Sequence, residues 1–357
     1  MTAASATPTH QSTRRGWRQW VIATLAAAPL CWAQAQGLAS DSAPAGSSAR
    51  GVSTGTIDAA QAQPVAFSTL DLEWTDSARN RPVPVRLYLP TDASAEHPVP
   101  LVVFSHGIGG SRRGYSYLGQ YWASQGYASL HLQHVGSDRN LWSAGSPLAL
   151  LFRLRDAAQD TEAIARVQDL RFALDHVLAG DMAPRIDASR IVAAGHSYGA
   201  NTALLAVGAR VERNGRALDF RDPRIRAAIV LSAPPFYGED DTAKILGSVS
   251  VPTLHVTATE DVIRIPGYYS GADDRVAVFD ATGGARKTLA VFAGGSHSMF
   301  TDRSGTGGAD LNPQVKAATR LLSLAFLKNV FDGEEAALKQ WPTQFAGIVA
   351  RFTRSGW

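Results

Sequence analysis

From residue 100 onward, short unbroken apolar runs alternate with longer stretches in which apolar positions recur every three or four residues. "PLVVFSHG" (100–107), "ASLHLQH" (128–134), "RIVAAGHS" (190–197), "RAAIVLSAPP" (226–235), "VPTLHVTATED" (251–261) and "KTLAVFAGGSH" (287–297) are the unbroken runs. Apolar side chains on both faces of a strand predict burial on both faces, the habit of parallel sheets. The periodic stretches predict helices over 115–127, 161–180, 198–210 and 314–331, with Gly126 and Gly180 as stops. Upstream, "FSTLDLEW" (67–74) and "VPVRLYLP" (83–90) alternate in polarity around "SARNR", which predicts a hairpin. The expected architecture is one α/β domain over 65–357, a mostly parallel central sheet with helices on both faces. The stretch 135–160, "VGSDRNLWSAGSPLALLFRLRDAAQD", is too long for a plain connection and is expected as a lid-like insertion, partly helical, over the top of the sheet.

The first residues change texture. Arg14, Arg15 and Arg18 precede the apolar run "WVIATLAAAPL" (20–30), which is too short to span a bilayer, and "AQA" (33–35) fits a small-x-small cleavage site. Residues 1–35 therefore read as a signal peptide, and the chain is expected to be exported, to the periplasm or the medium. "STRRGWRQW" also resembles a twin-arginine signal, while a frayed helix or a lipid acceptor at Cys31 are the competing readings. Residues 36–64 are rich in Ala, Ser, Gly, Thr and Gln and read as a disordered linker. Cys31 is the single cysteine, so a chain cleaved after Ala35 has no thiol for catalysis, disulfides or metal. The 357 residues are 45% hydrophobic and 18% charged, with a net charge of +3 concentrated in the leader, and no basic stripe points to nucleic acid.

In a parallel sheet, ligands bind beyond the carboxyl ends of the strands, so candidate residues are those that immediately follow a strand. Ser197 does, in Gly195-His196-Ser197-Tyr198-Gly199. The two glycines allow a sharp strand–turn–helix elbow that presents the hydroxyl as a nucleophile, and the bland alternative is a helix-capping serine. A serine hydroxyl needs a base and an acid to orient that base. His297 follows the last strand and is the candidate base, whereas His255 falls mid-strand and reads as packing. Asp261 is the candidate acid, with its neighbour Glu260 as the alternative. Backbone N–H groups of Ile108, in "SHGIGG", and of Tyr198 are the candidate oxyanion donors, with His106 supporting the loop from below. A phosphate-binding reading of "GIGGSRRG" lacks the lysine–threonine ending that chemistry uses. His131 and His134 are set on opposite faces of a strand without a carboxylate cluster, so structural roles are favoured over zinc. Trp142 and Phe236, with Tyr198, flank strand ends and are candidates for the substrate pocket. No cofactor and no metal are called for.

"PLVVFSHGIGGSRRGYSYLGQYWASQGYASLHLQHVGSD", "RVQDLRFALDHV", "VAAGHSYGAN" and "GGSHSMF" together resemble the α/β-hydrolase superfamily. Within it they resemble the dienelactone-hydrolase-like group that includes platelet-activating-factor acetylhydrolases. The resemblance covers roughly 65–330 and implies the α/β-hydrolase fold and a serine hydrolase acting on small-molecule or lipid-like carboxylic esters, with Ser197 and His297 matching nucleophile and base. The acetylhydrolases carry their acid after the strand that follows the nucleophile helix; here Ser232 occupies that place, which moves the acid to Asp261. An amidase or peptidase on the same residues, and a non-catalytic binding module, are the alternatives.

Overall fold

The computed structural model describes residues 64–357 apart from 214, 240 and 266. The leader 1–35, its Cys31 and nearly all of the linker 36–64 lie outside the described residues. In chain order the elements are β1 (Phe67–Asp76), β2 (Arg81–Pro90), β3 (Val99–Ser105), α1 (Ser116–Ser124), β4 (Ala128–Leu132), α2 (Pro147–Ala157), α3 (Asp160–Ala179), β5 (Ile186–His196) and α4 (Tyr198–Ala206). They continue with β6 (Arg210–Arg213), β7 (Arg216–Asp219), β8 (Ile225–Leu231), α5 (Thr242–Leu246), β9 (Thr253–Glu260), α6 (Ala272–Ala281), β10 (Lys287–Ser296), α7 (Leu311–Asp332), α8 (Ala336–Gln344) and β11 (Val349–Ser355).

Nine strands form one sheet in the order β1-β2-β4-β3-β5-β8-β9-β10-β11. The stretch from β4 to β10 is parallel, flanked by the antiparallel β1–β2 pair on one side and by β11 on the other. The chain leaves β3 to one side to make β4 and returns on the other to make β5, so the strand order reverses at β3. That reversal opens a crevice at the carboxyl ends of the neighbouring strands.

Side chains of successive strand residues point to opposite faces, and each face has its own core. Leu101 and Val103 of β3 join one apolar cluster with Val167, Leu170 and Leu174 of α3 and Ala203 and Leu204 of α4. Val102 and Phe104 join the other with Leu118 and Trp122 of α1, Leu322 and Phe326 of α7 and Trp341 of α8. Trp122 and Trp341 are fully buried, and each indole N–H has a partner, Ser323 Oγ at 3.0 Å and the Ala318 carbonyl at 2.8 Å. The edge strand β11 and α8 were not foreseen from the sequence; nor were the β6–β7 hairpin and the helices α5 and α6. The helix expected over 198–210 ends at Ala206, and the strand expected to reach His134 ends at Leu132.

Candidate active site

Ser197 sits between β5 and α4 with φ 55 and ψ −123, outside the regions ordinary residues occupy. The flanking glycines make that turn possible. A Cβ on Gly195 would lie 2.1 Å from the Gly199 carbonyl oxygen, and one on Gly199 would lie 1.9 Å from the Ser105 carbonyl oxygen. The elbow is therefore built from backbone pressed on backbone, and no side chain larger than hydrogen fits at either position.

The structure brings Ser197, His297 and Asp261 together from the ends of β5, β10 and β9. His297 Nε2 is 2.7 Å from Ser197 Oγ, and His297 Nδ1 is 2.6 Å from Asp261 Oδ1. Asp261 is fully buried, accepts a further hydrogen bond from Thr257 Oγ1 at 2.8 Å, and has the buried Arg275 guanidinium 3.5 Å away. Burial works against its ionisation, but the His297 hydrogen bond and charge and the Arg275 cation outweigh it and hold the carboxyl well below the usual range. Glu260, the alternative acid, is exposed at the strand end. Ser232 directly follows β8, buried and with φ 52, where the resembled group would carry its acid.

The loop after β3 is braced from several directions. His106 Nε2 accepts the His134 backbone N–H at 3.1 Å, which leaves Nδ1 protonated, and Nδ1–H donates to the Gly107 carbonyl at 2.7 Å. The same carbonyl accepts the Gly110 N–H at 3.0 Å. These two bonds fix the peptide plane between Gly107 and Ile108, and so the direction of the Ile108 N–H. Among the described residues neither the Ile108 nor the Tyr198 N–H donates to a protein acceptor. Tyr198 opens α4, where the helix dipole favours negative charge.

The segment 135–160 contains two 3-10 turns and α2. Its Ser137 carbonyl accepts the Gly109 N–H at 2.8 Å, and Trp142 Nε1 donates to the Gly109 carbonyl at 2.9 Å. Trp142 is about half exposed beside this loop, whereas Phe236 is buried in the cluster formed with α3, α4 and α5.

His131 and His134 enter separate networks. His131 bonds Ser129 Oγ and the Gly114 carbonyl; His134 bonds Ser105 Oγ and Asp169. Burial drives both pKa values down to about 3, so both rings are neutral at ordinary pH.

Sequence reasoning missed His196 and its partner. His196 Nε2–H donates to the His297 carbonyl at 2.9 Å, and its Nδ1 accepts from Tyr115 Oη at 2.8 Å. Tyr115 Oη in turn accepts the Gly107 N–H at 3.3 Å. This relay joins the loop after β3 to the main chain of His297 directly behind the serine. The one available signal was Tyr115's place at the mouth of a helix.

Residues 75–141 match the family model described as platelet-activating factor acetylhydrolase, isoform II. No curated protein matches. Among solved structures, a ferulic acid esterase from Streptomyces cinnamoneus is similar, with 24% identity over 77% of this chain and 92% of that chain and a TM-score of 0.54. Among the described residues no helix is long and apolar enough to cross a membrane. With its reversal at β3, its helices on both faces and its serine elbow, the chain has the α/β-hydrolase fold.

Proposed function

We propose that the protein is a serine hydrolase that cleaves carboxylic esters through an acyl-enzyme. His297 Nε2 takes the Ser197 proton as Oγ attacks the ester carbonyl carbon. Asp261 fixes the ring's orientation and stabilises its charged form. The Ile108 and Tyr198 N–H groups receive the developing oxyanion. The tetrahedral intermediate collapses, His297 protonates the departing alcohol, and a water deprotonated by the same ring releases the acid. The observation that carries this reading is the unbroken run from Asp261 through His297 to Ser197, at 2.6 and 2.7 Å. The acetylhydrolase model and the ferulic acid esterase, both named for ester cleavage, favour esters over amides.

Ser197→Ala tests the reading. Turnover of p-nitrophenyl esters is expected to fall by roughly 10⁴-fold or more with the melting temperature nearly unchanged, and labelling by a fluorophosphonate is expected to disappear. A variant that keeps most of its activity would remove Ser197 as the nucleophile. We also propose export by the N-terminal signal; N-terminal sequencing of the mature protein, beginning at residue 36, checks it.

A further inference from the structure

Arg166 on α3 has no place in the reaction above, yet its side chain is wholly buried. A guanidinium taken out of water is tolerated only when its N–H groups are partnered. All three nitrogens of Arg166 find partners, and these lead to the peptides flanking the two oxyanion donors. Nη2 donates to the His106 carbonyl, at the start of the loop that carries Ile108. Nη1 donates to Ser137 Oγ at 2.7 Å, and the Ser137 carbonyl accepts the Gly109 N–H at 2.8 Å. Nε donates to Thr202 Oγ1 at 3.1 Å, and that hydroxyl donates to the Tyr198 carbonyl at 3.0 Å. The guanidinium itself lies 4.5 Å from the centre of the Tyr198 ring. Ser137 also donates to Glu162 Oε1 at 2.8 Å, one helical turn before Arg166, which locks the anchoring hydroxyl in place.

We propose that Arg166 is the positioning residue of the oxyanion hole. It sets the spacing between the Ile108 and Tyr198 N–H groups from beneath, and its fixed cation favours the charged tetrahedral intermediate over the neutral ester. The proposal rests on the esterase reading. A rigid planar fork can hold three separate segments at once, which a lysine ammonium on a flexible stem cannot. Interactions that tighten only as charge develops raise kcat and leave ground-state binding alone.

The test is Arg166→Lys in the full-length protein, measured on p-nitrophenyl acetate and with an alkyl boronic acid, which forms an anionic tetrahedral adduct on the serine. We expect kcat to fall about 10- to 100-fold with KM within about threefold, and boronic acid affinity to fall in step with kcat. Thr202→Val, which severs only the branch to Tyr198, should show the same signature at about 3- to 10-fold. A folded Arg166→Lys variant with kcat and boronic acid affinity within about twofold of wild type overturns the proposal. So does a loss of kcat that merely follows the folded fraction. If Arg166→Lys fails to fold, Thr202→Val decides, and unchanged kcat and boronic acid affinity in that variant overturn it. A wild-type protein that neither hydrolyses esters nor reacts with a fluorophosphonate would instead sink the esterase reading, and this proposal with it.

Discussion

The loops after β3 and β5 and those after β9 and β10 meet at one rim of the sheet, but they are held by different means. Beneath the first pair lies a dense buried network. Asp169 takes hydrogen bonds from Arg79, Arg81 and His134; Glu162 takes them from Ser137 and Arg81; Arg166 reaches three segments. Beneath the second pair lies one carboxylate, Asp261, with Thr257 and His297 as its hydrogen-bond partners and Arg275 nearby. The difference follows from what each side presents. One side offers backbone N–H groups, whose direction depends on the peptide planes around them, so many contacts have to fix many torsions. The other sets three side chains in one line, in which the proposed mechanism moves a proton between Ser197 and His297 while Asp261 holds the ring, and two short hydrogen bonds define that line.

Chemistry should therefore be most sensitive on the second side, and folding on the first. Asp261→Asn should lower kcat by about 10³- to 10⁴-fold, since the ring loses both its orientation and its counter-charge, and it also removes the charge facing the buried Arg275; steady-state kinetics per folded molecule beside calorimetry separates the two effects. Asp169→Asn, on the other side, removes the buried charge that Arg79, Arg81 and His134 share and should cost about 3–5 kcal/mol of stability in urea unfolding. Activity per folded molecule should change far less than in Asp261→Asn, and the reverse pattern would erase the distinction.

Acid should open the first side before the second. Burial holds His131, His134 and His196 at about 3, against 6.5 for a free ring, and His106 lies well below its ordinary value for the same reason. Between those limits the unfolded chain binds more protons than the folded one, so stability is complete above about pH 6.5 and declines as pH falls toward 3. Hydrogen exchange at pH 5 should show β3, β4 and the loop after β3 losing protection ahead of β9 and β10; uniform loss would contradict the comparison. Among the described residues His255, held at about 3 within β9, is the single buried ring working against this contrast. The smallest effect belongs to the relay between the two sides. Tyr115→Phe leaves His196 Nδ1 and the Gly107 N–H without their partner and should cost about 1–3 kcal/mol, read as a shift in the urea midpoint.

These contrasts also explain what could be read from the sequence. The parallel core strands were legible because burial on both faces makes their apolar runs continuous, as in "PLVVF". Ser197 was legible because two glycines mark an elbow no other residues could build. His297 and Asp261 were legible by position, each just past a strand. Arg166 was not, because its partners at 106, 137 and 202 belong to elements with no fixed spacing from it. Tyr115 and His196 were hidden in the same way, since only the folded chain aligns a phenol at the start of α1 with a ring at the end of β5. Strand β11 escaped because its apolar stretch stops at Ala350 and polar Arg351, Thr353 and Arg354 surround Phe352 on a half-exposed edge.

The backbone at residue 197 has a consequence for how such a chain can be improved. A serine at φ 55 carries an unfavourable conformation of order 1–3 kcal/mol that glycine would escape. Ser197→Gly would therefore give a hardier protein and, with Ser197 as the proposed nucleophile, an inert one. A library screened for heat resistance alone would enrich that replacement, so any search for a tougher variant has to select for turnover in the same round.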